Sequence, residues 1–289
     1  MRDWDYEYPP PSVVVGIDGS RWAIDAALWA VDEAVARDIP LRLVYAIDSV
    51  SADPAHAARE LATGELAIRY AYTAVESTGK LVKIEVEIVQ RRATDALLEA
   101  SRSAAMICVG STGHHHATRD RIGSTASALA AAARCPIAVV HRRAEATQLH
   151  PGSILAVVDA SSTSDVVLKH GLEEAKLRKA QLRVLIERPT ETGRDHGAEM
   201  ISDGKHWARK QLERRLAPWR LQYRDLDIAA EEHRGSMLDY LQSNAGSVQL
   251  VVVGPRGPGT LDALFGPAAR STFHRSGCTV LVCSPYSRL

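Results

Sequence analysis

No charge of one sign prevails in this chain of 289 residues: 35 Lys and Arg balance 35 Asp and Glu. A nucleic-acid surface is therefore disfavoured, since it normally shows a basic excess or stripe. The intermixed signs read as a solvated exterior. Cysteine is scarce. Cys108, Cys135, Cys278 and Cys283 lie in or beside apolar runs, with neither C-x-x-C pairing nor histidine at zinc spacing. Small core residues in a reducing compartment are the expectation, with no metal site. No apolar run is long enough to span a membrane, and Met1-Arg2-Asp3-Trp4-Asp5-Tyr6-Glu7-Tyr8 is polar and acidic, unlike a secretory signal. A cytoplasmic protein without nucleic-acid or membrane partners is expected.

Several catalytic signatures are also missing. No Gly-Lys-Ser/Thr follows a glycine loop, which excludes a P-loop. Gly254-Pro255-Arg256-Gly257-Pro258-Gly259 is not the dinucleotide fingerprint, and no Gly-x-Ser-x-Gly elbow occurs. A phosphorelay receiver would need an acidic cluster after the first strand and a lysine after the last; here Asp18 stands alone and His141-Arg142 follows the last. Fast hydrolysis of a nucleotide would need a positioned base or metal carboxylates, so no enzyme, or at most weak nucleotide hydrolysis, is expected, with no catalytic residues assigned.

What is present is a duplication. Val13-Val14-Val15-Gly16-Ile17-Asp18 parallels Ile154-Leu155-Ala156-Val157-Val158-Asp159. Leu41 to Val44 parallels Leu182 to Leu185, and Gln90-Arg91-Arg92 parallels His233-Arg234-Gly235. Ile107 to Gly110 parallels Val251 to Gly254, and Cys135 to Val140 parallels Cys278 to Cys283. The offsets stay between 141 and 144 residues across all five elements. Each half has the size of one compact domain, and 46% hydrophobic residues suffice for two cores. The join falls in the polar stretch Arg143 to Gly152, giving domains 1–146 and 147–289.

Within the first half, strands Val13–Ile17, Leu41–Ile47, Lys83–Gln90, Ala105–Val109 and Ile137–His141 alternate with helices near Ser20–Ala36, Ala57–Thr78, Thr94–Ser101 and Thr125–Ala133. Short, continuous apolar strands favour a parallel sheet covered on both faces. The expected fold class is α/β: two tandem open parallel five-stranded sheets flanked by helices, packed as an intramolecular pseudo-dimer through the last strands. Ligands of such sheets bind at the carboxyl ends of the strands, where strand order switches. Asp18 and Gly110 lie at two such ends. Gly110-Ser111-Thr112-Gly113, followed by Gly123-Ser124, gives a glycine-hinged loop leading into a helix start. Glycines let backbone approach an anion, and helix N-terminal N–H groups point at it.

These residues resemble a known family. Val14-Val15-Gly16-Ile17-Asp18-Gly19-Ser20 is similar to the opening of universal stress proteins, and Gly110-x2-Gly113-x9-Gly123-Ser124 resembles their ATP-binding signature. The resemblance implies an adenine-nucleotide-binding (Rossmann-like) fold, ATP as ligand with magnesium as its companion, a homodimer, and a regulatory role in stress adaptation. Carried over, Gly16, Ile17 and Asp18 stand near adenine and ribose, and backbone at Ala46 meets adenine. Val109, Gly110, Ser111, Thr112, Gly113, His114, His115 and His116, with Gly123, Ser124 and Thr125, hold ribose and phosphates. His114-His115-His116 and Asp120 depart from the family pattern; neighbouring side chains rarely share one ion, and the imidazoles near phosphate would make binding pH-sensitive.

The second half departs further. Val157 replaces Gly16, Ala160 replaces Gly19, and Glu187 stands at the Ala46 position. Gly254 and Gly257 persist, but Gly266 comes one residue early and Pro267 removes a hydroxyl and an N–H. One competent site, in the N-terminal half, is expected. The alternatives are a nucleotide-independent interaction module acting through its dimer surfaces, and a slow ATPase.

Overall fold

A computed structural model describes residues 10–48, 53–113, 123–141, 152–159, 163–186, 198–231, 233, 235–244, 246–254 and 264–284. The chain divides into two compact units, with the boundary between His141 and Arg142.

The N-terminal unit runs β1 (Val13–Ile17), α1 (Arg21–Arg37), β2 (Leu41–Ile47), α2 (Pro54–Glu76), β3 (Ile84–Gln90), α3 (Ala93–Ala100), β4 (Met106–Gly110), α4 (Ser124–Ala132) and β5 (Ile137–Val140). Its strands lie in the order β3-β2-β1-β4-β5, and every pairing among them is parallel. The C-terminal unit runs β6 (Ser153–Val158), α5 (Thr163–Arg178), β7 (Leu182–Ile186), α6 (Ala198–Gln222), β8 (Ile228–Glu231), α7 (Met237–Ser243), β9 (Val248–Val253), α8 (Pro267–Ser276) and β10 (Thr279–Val282). Its order β10-β9-β6-β7-β8, again parallel, is the same topology. The expected α/β class, with five parallel strands in each unit, is observed; the ten strands are recorded as one sheet and not as the two expected.

The central strands are apolar because both faces are covered. Val13, Val14, Val15, Ile107 and Cys108 are fully buried, as β-branched runs in two-sided sheets are. The first helix follows from local chemistry. Ser20 caps α1 by accepting a hydrogen bond from the Ala23 N–H. Ala23, Ala26, Ala27, Ala30, Val31 and Ala34 form its buried stripe. Asp38 closes it in the left-handed conformation at φ 52°. The second helix starts at Pro54, earlier than the Ala57 read from periodicity, because Asp53 accepts from the Ala55 N–H and Pro54 fits the first turn. Lys83, Ala105 and His141 lie outside the strands expected to hold them.

Each first helix carries a charged pair on its buried side. Glu33, with no exposed surface, pairs with Arg37, and Glu174 pairs with Arg178 in the same way. The carboxylates are 141 residues apart, so the duplication includes them.

Gly110 ends β4 against α1. A Cβ there would lie 2.7 Å from the backbone carbon of Trp22, and neither backbone can give way cheaply. Gly110→Ala is therefore expected to destabilise the protein by about 1–3 kcal/mol, read as a lower denaturant midpoint. All four cysteines are buried, and burial pushes the Cys135 thiol up to about 12. At pH 8 a thiol reagent should find no fast-reacting cysteine in the native protein and all four after denaturation.

Candidate functional site

In the N-terminal unit β1 has β2 on one side and β4 on the other. Chain connections leave β1 in one direction for β2 and β3, then return past it to β4. Right-handed crossovers put α1 and α2 on one face and α3 and α4 on the other, consistent with the packing of α1 on α2 and α3 on α4. The carboxyl ends of β1 and β4 thus flank the switch point where such sheets take ligands.

Asp18 is the first residue past β1. One carboxylate oxygen accepts a hydrogen bond from the Ser20 N–H at 2.9 Å, a two-residue turn that fixes the side chain. Asp18 is thus not the cap of α1; Ser20 is. Gly19 sits at φ 80°, where a side chain would be strained. The other Asp18 oxygen faces Gly113: a Cβ there would lie only 3.0 Å from it. Carboxylate and loop backbone therefore meet across the crevice with no side chain between.

The loop after β4 is tied at both shoulders. The Ser111 N–H donates to the Val140 carbonyl at 3.1 Å, and the Gly123 N–H donates to the Ser111 carbonyl at 3.1 Å. The chain thus leaves at Gly113 and returns at Gly123 close to its departure point. Ser111 and Thr112 are buried. Gly123 is the N-cap of α4 and brings no capping side chain. Helix N–H groups at Ser124 and Thr125 then start beside the loop.

Other expected residues serve differently. Ile17 and Val109 are buried in the core, so only their backbone is at the strand ends. Gly16 lies under Leu97 of α3, whose Cδ1 would be 3.0 Å from an added Cβ. Ala46 follows Tyr45, the register partner of Ile17, and so lies beside Asp18. His114, His115 and His116 fall outside the described residues, as do Asp120, Ala160, Glu187 and Gly257. Among the described residues no group of three His, Cys, Asp or Glu could hold a metal ion, and no helix is long and apolar enough to cross a membrane.

Two nearby residues escaped the sequence reading. Tyr45 stands on the α2 side of β2, and its ring lies flat on Gly64: an added Cβ would be 2.8 Å from Cδ1. Partial burial, then the charges of Asp18 and Glu60, raise its phenol above the ordinary value. A glycine inside an otherwise regular helix was the available signal.

The corresponding corner of the C-terminal unit is built from its own groups. The Ser164 hydroxyl donates to the Asp159 carboxylate at 2.8 Å and is within 2.9 Å of its carbonyl. Arg215 of α6 donates to the same carbonyl at 3.3 Å and to Asp165 at 2.7 Å. Gly266 is the N-cap of α8, as Gly123 is of α4, despite its early position, and Pro267 takes the first helical place. A first-turn N–H present at Ser124 is therefore missing there.

Comparison with known proteins places this architecture. A profile described as the universal stress protein family matches residues 11–141 and again 152–284. Universal stress protein Rv2028c of Mycobacterium tuberculosis is 42% identical over 280 residues, covering 95% of this chain and 96% of its own. Universal stress protein Rv2624c of the same organism is 38% identical over 271 residues, covering 94% and 95%. Among solved structures, a universal stress protein from Archaeoglobus fulgidus superposes with a TM-score of 0.67 at 14% identity, over 94% of this chain and 96% of that one. A universal stress protein from Pseudomonas aeruginosa gives 0.60 at 18% identity, over 96% and 94%. The fold, the doubled profile match and the full-length relatives agree: the chain belongs to the universal stress protein family, with the family's domain present twice.

Proposed function

We propose that this protein binds ATP in its N-terminal domain and acts as a nucleotide-responsive regulator in stress adaptation. The observation that carries the reading is the approach of the Asp18 carboxylate to the Gly113 backbone at the switch point between β1 and β4. A carboxylate suits the hydroxyls of a ribose. A side-chain-free loop running into the start of α4 suits phosphates. The spacing of Gly110, Gly113 and Gly123 supports the same assignment, as does membership of a family whose ATP-binding members carry these residues. Magnesium would arrive with the nucleotide. In this reading the nucleotide acts as a signal and not as a substrate for rapid turnover, and no catalytic residue is assigned to the crevice. Pairing with a second copy and a cytoplasmic location are further parts of the proposal, and rest on the family alone.

The C-terminal domain is proposed not to bind ATP at comparable affinity. The Asp159 carboxylate already accepts from the Ser164 hydroxyl, the Arg215 guanidinium of α6 holds the neighbouring backbone carbonyl and Asp165, and Pro267 withholds an N–H.

Calorimetric titration of the full chain with ATP and magnesium tests both statements. One site per chain is expected, and nucleotide released on denaturing the purified protein should approach the same ratio. Asp18→Ala should weaken ATP by about 10- to 100-fold, the worth of a charged hydrogen bond. Gly113→Ala should weaken it comparably, by pressing a methyl against the carboxylate. Neither should lower the melting temperature by more than a few degrees. Unaltered affinity in both variants would sink the site, two equivalents per chain would sink the silent second domain, and no binding at all would leave the interaction-module reading.

A further inference from the structure

We propose that the hydroxyl of Tyr45 contacts the nucleoside half of the bound nucleotide, with Gly64 of α2 setting the ring in place for it. The inference rests on the N-terminal ATP site proposed above and names a contact beyond it.

Three observations place the group. Tyr45 pairs in register with Ile17, so its strand position lies one residue short of the level of Asp18. Its ring rests on Gly64, with Cδ1 and Cε1 at 2.8 and 2.9 Å from where a Cβ would be; any other residue there would push the ring aside. Glu60 precedes Gly64 by one helical turn, and α2 begins at the carboxyl end of the sheet. Tyr45 is only half-buried, and the charges of Glu60 and Asp18 both act on its phenol, in keeping with a hydroxyl at the crevice end of that helix. The same helix reaches the Asp18 turn itself, since a Cβ on Gly19 would lie 3.5 Å from the Ala67 methyl.

The chemistry follows from those neighbours. Tyr45 is half-buried, and its hydroxyl has no hydrogen-bond partner among the described residues. Between two carboxylates it stays protonated and serves as a neutral donor. Phosphate oxygens would be repelled by Asp18 and Glu60, whereas sugar oxygens and base nitrogens carry no charge to repel. The phosphates belong at the opposite end, by Gly113 and the start of α4. Tyr45 therefore reads the nucleoside.

Calorimetry of the full chain with ATP, ADP and adenosine, on wild type, Tyr45→Phe, Tyr45→Ala and Gly64→Ala, tests this. Tyr45→Phe keeps the ring and deletes only the hydroxyl. It should weaken all three ligands by the same factor, about 3- to 10-fold, with the melting temperature of the free protein unchanged. Gly64→Ala should weaken them at least as much, by displacing the ring. Tyr45→Phe binding as tightly as wild type, with only Tyr45→Ala impaired, would make the residue a packing group and overturn the inference. So would a loss confined to ATP and ADP, which would move the contact to the phosphates. Wild type that binds none of the three ligands would overturn the nucleotide reading itself, a result distinguishable from the other two.

Discussion

Burial of β1 and β4 on both faces is the constraint from which the rest of the N-terminal domain follows. Val13, Val14, Val15 and Ile107 leave neither face of β1 or β4 open to water, so helices have to cover both sides of these strands. With right-handed connections, the strand order β3-β2-β1-β4-β5 divides the helices between the faces at β1 and β4. The gap between their carboxyl ends cannot be filled by a crossover, because the chain leaves β1 and β4 toward opposite faces. A crevice is thus a by-product of the topology. What makes it a candidate site is the removal of side chains around it: Gly110 lies on Trp22 and Gly113 on Asp18.

The same topology in the C-terminal domain carries different side-chain contacts at the corresponding strand end. Asp159 keeps its position after β6, but the Ser164 hydroxyl donates to its carboxylate and Arg215 donates to its backbone carbonyl. Arg215 comes from α6, 56 residues away in sequence, and its pairing with Asp165 anchors the guanidinium. The buried Glu33 and Glu174, each paired one turn on, were retained in both copies. Removing one partner of such a pair leaves a charge in the interior at a cost of about 3–5 kcal/mol, which explains their persistence as pairs.

The strands, the duplication and the glycine loop could be read from the sequence because each is a local pattern: continuous β-branched runs, a constant offset, glycines at fixed spacing. Asp18 could be read because it follows such a run directly. Tyr45 and Glu33 could not. A tyrosine in a strand and a glutamate in mid-helix have ordinary surface readings, and only the approach of α2 to β2, or of α1 to the sheet, gives them a role. The start of α2 was misplaced for a related reason: the apolar spacing begins at Ala57, but Asp53 and Pro54 start the helix by capping chemistry that periodicity does not register. Arg215 was invisible because nothing local connects it to Asp159.

Gly64 shows where the two kinds of information meet. In the interior of a helix it costs about 1 kcal/mol relative to alanine, and α2 has no terminus there to account for it. The fold recovers that cost by letting an aromatic ring lie against the helix backbone, which no larger residue would allow. A packing function alone could be met by a smaller strand residue and an alanine, at lower cost to the helix. The combination of a large ring, a helical glycine and a strand position one residue below Asp18 instead suits the placing of a polar hydroxyl, as proposed above. That is the arrangement expected where the position of one donor matters more than the stability of the helix that sets it.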